Sequence, residues 1–260
     1  MKKYNTGIIG SGAISGIYLK NMTERFANLE VKAISARNLS HAEAKAKEFG
    51  ITALTNEDML KDESIDIIVI LTPVETHYDL IKQALNAGKH VYTEKTIAST
   101  VEQAKELCAL ADEKGLYLGS APDTFLGTGF QTAIKALDEQ VIGEVNSFNI
   151  SITRDNNILT AMFPFLRTPG AGALRDYMVY YLTALVATLG PVKRVSALLK
   201  APYTQRLNQI PNTKGYGEMI ETPNEAIVTA VLEMENGIIG TIHEDNESII
   251  FDRADFAICG

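Results

Sequence analysis

Two stretches of this chain have the residue types and spacing to do chemistry. The first is Gly10-Ser11-Gly12-Ala13-Ile14-Ser15, which follows the apolar run Thr6-Gly7-Ile8-Ile9 and opens a helical pattern. A strand, a glycine turn and a helix N-terminus in that order gather backbone N–H groups and the positive end of a helix dipole around an anion. Gly10 permits the tight turn and Gly12 lets the main chain approach a pyrophosphate. Ser15, with Gly16 beside it, is the small residue that close helix–strand packing wants. Taken alone, such a loop reads equally well as an ordinary βα turn. The second stretch is Glu94-Lys95, directly after His90-Val91-Tyr92-Thr93. That strand is already specified by its apolar residues, so folding does not call for a lysine at its end.

The elements that must position these groups alternate. Val31–Ala36 reads as a second strand, followed by a helix over about 40–49 with Ser40 as N-cap, Glu43 three residues on, and Gly50 as C-cap. Ile67-Ile68-Val69-Ile70-Leu71 is apolar throughout, the mark of a strand buried on both faces of a parallel sheet. A helix over about 75–87, the strand 90–93, a helix over about 101–114 and a strand over 116–119 complete a β-α-β-α series. This series predicts a doubly wound sheet whose ligands sit at the carboxyl ends of the strands. Residues 1–121 are therefore expected to form a nucleotide-binding Rossmann domain.

The pattern changes in residues 122–260, which read as an α+β domain. A helix over about 125–137 and a strand over 144–152 precede an irregular segment over 155–172. A helix over 174–189 follows, then the runs 192–199, 225–235, 238–244 and 248 onward. Glu235-Asn236-Gly237 between two of them suggests an antiparallel meander.

The end of the second strand bears on which dinucleotide the loop takes. NAD-binding versions place a carboxylate there for the ribose 2′-OH. Here the segment is Ser35-Ala36-Arg37-Asn38. A guanidinium can hold a 2′-phosphate bidentately while Ser35 and Asn38 donate, so NADP(H) is favoured over NAD(H). The bland reading is that Arg37 is a solvated loop residue. S-adenosylmethionine binding, which also wants an acidic residue after this strand, is disfavoured for the same reason.

Composition agrees with a small-molecule protein. The 260 residues carry a formal net charge of −8, which argues against general nucleic-acid binding. Cys108 and Cys259 form no motif, which suits a reducing compartment. The apolar run after the basic start is too short for a signal peptide, and the longest apolar stretch falls short of the roughly 20 residues that span a bilayer. A cytoplasmic protein with no membrane association is expected.

The motifs in their order resemble the Gfo/Idh/MocA family, the glucose–fructose oxidoreductase and inositol dehydrogenase group. The resemblance runs from the glycine loop through Leu71-Thr72-Pro73 and His77 to Gly88-Lys89-His90-Val91 and Glu94-Lys95. It continues through Ile142-Gly143-Glu144-Val145 to Gly170-Ala171-Gly172-Ala173-Leu174-Arg175-Asp176, covering essentially the whole chain. It implies a pyridine-nucleotide oxidoreductase acting on a sugar, cyclitol or related hydroxyl or carbonyl compound. Homodimers or homotetramers built through the C-terminal sheet are implied as well. Lys95 matches the family's catalytic lysine and Asp176 its helix aspartate. Tyr180 stands where many members have histidine and where the glucose–fructose oxidoreductase and dimeric dihydrodiol dehydrogenase branch has tyrosine. That branch uses NADP.

The residues make a physical case beside the resemblance. Asp176 and Tyr180 are i and i+4 and share a helix face. Hydride transfer to a carbonyl leaves an alkoxide that must gain a proton, so one group must serve as acid and, in reverse, as base. A phenol beside an ammonium ion can do this, with Glu94 and Asp176 holding the cation or the substrate hydroxyls. Alone, Tyr180 and Tyr181 would read as core aromatics. His77 lines the nucleotide site or is a surface histidine at a helix end; both readings stand. Asp123 is placed near the nicotinamide by the resemblance. Arg154 and Arg167 could bind an acidic group, though a solvated loop is the better expectation.

Three departures from the family pattern stand out. Thr96 replaces the usual proline after Glu-Lys. Met178 replaces a glycine and is expected to crowd the substrate pocket. The chain stops at Gly260, in or just after a strand, where relatives run on for about another 70–110 residues. A C-terminal sheet left incomplete by truncation is therefore expected. The rival function is a nucleotide-binding redox regulator or inactive family member without catalysis, and a weaker one is biliverdin-reductase-like chemistry.

Overall fold

A computed structural model describes residues 2–260, which form two compact units that meet in the chain at Ala121 and Pro122. The first unit contains β1 (Tyr4–Ile9), α1 (Ser15–Glu24), β2 (Leu29–Ser35), α2 (Leu39–Phe49), β3 (Thr52–Ala53) and α3 (Asn56–Lys61). It continues with β4 (Ile67–Ile70), α4 (His77–Asn86), β5 (His90–Thr93), α5 (Val101–Lys114) and β6 (Leu118–Ser120). The strands form one parallel sheet in the order β3-β2-β1-β4-β5-β6. This is the Rossmann arrangement, and its order reverses between β1 and β4, where a crevice opens at the carboxyl ends. Ile8, Ile34, Ile68 and Ile70 are fully buried because helices cover both faces, which is why β4 shows no polar alternation.

Local chemistry shifts several boundaries. Asn38, not Ser40, caps α2: its side chain accepts from the Ser40 amide at 3.1 Å. Gly50 closes that helix in the left-handed region at φ 66°, as its position predicts. β3 and α3 escape the periodicity reading, being only two and six residues long. Thr55 nevertheless marks α3 as an N-cap, accepting from the Asp58 amide. The last strand of the sheet lies two residues later than expected, at Leu118–Ser120.

The second unit contains α6 (Thr128–Asp138), β7 (Ser147–Thr153), α7 (Asn156–Met162), α8 (Val179–Leu189), β8 (Val192–Lys200), β9 (Gln205–Leu207) and β10 (Met219–Glu221). It ends with β11 (Ile227–Met234), β12 (Ile239–Asp245) and β13 (Arg253–Cys259). Its main sheet runs β13-β7-β12-β11-β8, with β9 and β10 forming a separate pair. The expected meander is only partly realised. β8, β11 and β12 are successive antiparallel neighbours, but β7 inserts between β12 and β13 and pairs with β12 in parallel. The segment expected to be irregular holds α7, capped by the Asp155 side chain, and a short 3₁₀ turn at Pro164–Arg167. The helix expected from Leu174 begins as a π-turn, Leu174–Met178, and becomes α-helical at Val179.

One face of this sheet carries the core. Phe148, Ile150, Ile152, Val228, Ala230, Leu232 and Ile242 pack against Met178, Leu185 and Leu189. Met178 is only 1 % exposed and belongs to this core, so it does not crowd a pocket as expected. On the opposite face Leu198, Val231 and Ile239 are exposed. Among the described residues no helix is long and apolar enough to cross a membrane.

Candidate functional site

In the first unit, the turn after β1 is shaped by what cannot fit there. Gly10 adopts φ +116°, and a Cβ on it would lie 2.8 Å from the Leu71 carbonyl carbon and oxygen and 3.1 Å from the Thr72 nitrogen. Glycine is thus required twice, by backbone conformation and by the approach of the chain after β4. Gly12, by contrast, faces open space. Ser15 is buried, and its hydroxyl donates to the Gly12 carbonyl at 2.7 Å, closing the turn onto α1. The amides of Ser11, Gly12, Ala13 and Ile14 meet no backbone acceptor among the described residues. Four available N–H groups at a helix N-terminus, beside a glycine that leaves room, suit a pyrophosphate.

At the end of β2, the three residues expected to meet a 2′-phosphate behave differently. Ser35 is buried and donates to Asn56 Oδ1 at 2.6 Å, so its hydroxyl is turned into the protein and not toward a ligand. Asn38 spends its side-chain oxygen on the cap of α2, accepting from both the amide and the hydroxyl of Ser40. Arg37 is exposed and has no ion-pair partner among the described residues.

His77 is fully buried, which removes the surface reading. Its Nδ1 lies 2.7 Å from the Thr96 carbonyl oxygen and its Nε2 lies 2.7 Å from that of Thr72. Both nitrogens are therefore occupied within the protein. The ring joins the turn after β4, Leu71-Thr72-Pro73, to the turn after β5, and bears on a ligand only by holding those turns. Glu94 is held from the other side: Tyr18 of α1 donates to its Oε1 at 2.7 Å, and the Lys95 amide lies 3.1 Å from its Oε2. Tyr18 was not found from the sequence, because a tyrosine in a helix carries no motif of its own. Lys95 is half-buried, and its peptide bond to Thr96 is cis.

In the second unit, Asp176 lies in the π-turn, its carboxylate 3.5 Å from Arg154. Arg154 is no solvated loop residue. Its side chain is 12 % exposed and stacks 3.8 Å from the centre of the Tyr177 ring. Tyr177 donates to Asp252 at 2.8 Å, and burial pushes its phenol well above the ordinary value, so this tyrosine stays protonated. Tyr180, half-buried one position before Tyr181, lies beside the Tyr177 ring at 5.8 Å between centres. A single π-turn at this point re-aims the side chains that follow, a device common at functional sites. Arg167 donates to the Thr160 and Ala161 carbonyls at the end of α7 and is a helix cap rather than an anion ligand. Asp123 is exposed on the turn after β6.

Glu225 and Glu244, which no motif announces, add two carboxyl groups to the surroundings of Asp176. A Cβ on Gly172 would fall 2.3 Å from the Glu225 carboxyl carbon and displace that side chain, which accepts from the Leu174 amide at 3.3 Å. Glu244 of β12 is fully buried, with the Asn246 side chain beside its carboxyl group. Burial pushes it up to about 8, against the hydrogen bond from Asn246 and the charge of Arg154, with Asp176 and Glu225 adding to the rise.

A raised carboxyl favours the native state only while it is protonated. Stability should therefore fall as pH rises from the ordinary 4.5 towards 8. Glu244→Gln should raise the melting temperature by several degrees at about pH 8.5 and change it little at about pH 4.5. Thermal melts of the two proteins at both pH values check this.

Comparison with known proteins agrees with this architecture. The sequence pattern of the oxidoreductase family with an NAD-binding Rossmann fold matches residues 4–121, and that of the GFO/IDH/MocA C-terminal domain matches residues 130–248. The chain belongs to the Gfo/Idh/MocA oxidoreductase family. Its first unit is an NAD(P)-binding Rossmann fold. An uncharacterised oxidoreductase of Schizosaccharomyces pombe is 30 % identical over 208 residues, covering 77 % of this chain and 56 % of that protein. The scyllo-inositol 2-dehydrogenase (NADP(+)) of Bacillus subtilis is 24 % identical over 197 residues, covering 75 % and 54 %. Among solved structures, levoglucosan dehydrogenase in complex with NADH superposes with a TM-score of 0.86 at 22 % identity, covering all of this chain and 71 % of that one. The chain spans about half the length of the curated relatives it matches.

Proposed function

We propose that this Gfo/Idh/MocA member is an NADP(H)-dependent oxidoreductase that moves a hydride between the nicotinamide and a hydroxyl or carbonyl carbon of a sugar, cyclitol or related polyol. The observation that carries the reading is the cradle of four available amides at Ser11–Ile14, in a family whose fold serves this chemistry. Bound NAD(P) supplies the hydride chemistry; the protein must bind, orient and move a proton. In this reading Gly10 to Ile14 hold the pyrophosphate, and Leu71, Thr72, Pro73, Glu94 and Asp123 border the nucleotide. Lys95 polarises the substrate oxygen, Tyr180 passes the proton, and Asp176 orients the substrate hydroxyls. The named substrates of two relatives, scyllo-inositol and levoglucosan, support the neutral-polyol class. The outer face of the C-terminal sheet, with Leu198, Val231 and Ile239 exposed, is the surface proposed for self-association.

Preference for NADP(H) rests on Arg37 and the Asn38 side-chain NH2, since the Ser35 hydroxyl is engaged elsewhere and Asn38 gives only its oxygen to the cap of α2. An exposed guanidinium with no acidic neighbour at the strand end suits a 2′-phosphate. Fluorescence titration should give at least about tenfold tighter binding of NADPH than NADH, and Arg37→Glu should abolish the difference. Equal affinity of the unaltered protein for the two would refute the assignment. Screening of NADP reduction and NADPH oxidation against inositols, sugars and diketones tests the activity.

A further inference from the structure

We propose that Tyr18 is a positioning residue for the reaction, its hydroxyl fixing Glu94 and, through it, the Lys95 ammonium in register with the nucleotide loop. The proposal rests on the oxidoreductase reading for what Lys95 does, and on the first unit alone for its geometry.

Packing by itself asks only for a ring at position 18. The Tyr18 ring packs against the core of Ile8, Leu19, Val69 and Leu71 and lies 6.3 Å from the Tyr92 ring, centre to centre. Phenylalanine would fill that space equally well. The hydroxyl, which the packing does not require, donates to Glu94 Oε1 at 2.7 Å. A contact of that length from a phenol to a carboxylate is charge-assisted, and it joins residues 76 positions apart in the chain.

Glu94 is held at three points. Its amide donates to the Ile70 carbonyl at 2.9 Å, Tyr18 takes Oε1, and the Lys95 amide donates to Oε2 at 3.1 Å. Both carboxylate oxygens are thus engaged by neutral donors. Without the phenol, Oε1 would be released and the carboxylate would turn towards the neighbouring ammonium, cancelling part of the charge that Lys95 offers a substrate oxygen. On the other side of Lys95, the Thr96 carbonyl oxygen lies 2.7 Å from His77 Nδ1. The lysine therefore stands between two anchored residues, and Tyr18 is the anchor that reaches it from α1.

The other end of that anchor gives the position its consequence. Tyr18 lies in the first turn of α1, its amide donating to the carbonyl of Ile14, the last residue of the four-amide cradle, at 3.4 Å. One helical turn thus carries both the pyrophosphate donors and the hydroxyl that sets Glu94. Hydride transfer needs Lys95 and the reacting carbon placed accurately against the nucleotide, and a misplacement of about 1 Å costs about 10²-fold in rate.

Tyr18→Phe keeps the ring and removes only the hydroxyl, so it should melt close to the unaltered chain. With the inositol, sugar or diketone that turns over fastest, it should lower kcat about 10–100-fold, with KM and NADPH affinity changed less than about threefold. In a Glu94→Ala background the same substitution should lower kcat no further, because the hydroxyl acts through Glu94. A second readout needs neither turnover nor nucleotide. Competitive acetylation, read by peptide mass spectrometry, should find the Lys95 amine at least about threefold less reactive in Tyr18→Phe, because a released carboxylate favours the charged amine. The exposed Lys114 and Lys200 should react as before. An unchanged kcat, an unchanged Lys95 reactivity, or an equal kcat loss with and without Glu94 would each overturn the proposal. So would a Tyr18→Phe chain that fails to fold, since packing would then need the hydroxyl. Reduced Lys95 reactivity in a chain that turns over none of the compounds would uphold the placement and count instead against the oxidoreductase reading.

Discussion

Lys95→Ala is expected to lower turnover by about 10²–10⁴-fold while leaving NADPH affinity nearly unchanged. Tyr180→Phe should do the same. The lysine follows β5 at the carboxyl edge of the Rossmann sheet, half-buried next to Glu94, which Tyr18 anchors from α1. Removing the ammonium deletes the charge that would polarise the substrate oxygen and favour the phenolate. Removing the phenol oxygen deletes the proton carrier and retains the ring. Because both losses fall on one proton transfer, the double variant should be little slower than the worse single one. Steady-state turnover beside fluorescence titration of NADPH separates chemistry from binding. Near-normal turnover in both single variants would sink this mechanism.

The second large effect is expected from two neighbouring glycines that should fail in different ways. Gly10→Ala must place a Cβ 2.8 Å from the Leu71 backbone at φ +116°, where neither the chain nor its neighbour can yield cheaply. A loss of about 2–4 kcal/mol of stability is expected, with loss of nucleotide binding. Gly12→Ala meets nothing within 4 Å in the protein, so it should melt close to the unaltered chain. Its methyl group would instead occupy the space left for the pyrophosphate, weakening NADPH about tenfold or more. Melting curves with and without NADPH distinguish the two. If Gly12→Ala gains as much thermal stability from NADPH as the unaltered chain, the pyrophosphate does not lie against this turn.

Elements whose cause is local are legible in the order of residues. The continuous apolar run at Ile67–Leu71, the glycine turn at Gly10 and the left-handed cap at Gly50 follow from burial and backbone freedom, which any reader of the chain can see. So does the order of motifs that marks the family. Contacts between residues far apart in the chain could not be read in this way. Ser35 reads as a phosphate ligand in the sequence, but its hydroxyl goes to Asn56, because a hydroxyl in a turn serves whichever partner the fold brings near. His77 is isolated in sequence, yet only the packing of α4 against two turns places both its nitrogens on carbonyl oxygens. Met178 looked like an obstacle in a pocket and is core, because the π-turn sets which side of α8 meets the sheet. Glu244 carries no motif at all. Its significance arises from burial near Arg154 and Asp176, and burial is a property of the folded chain, decided by which strands pair and which helix covers them.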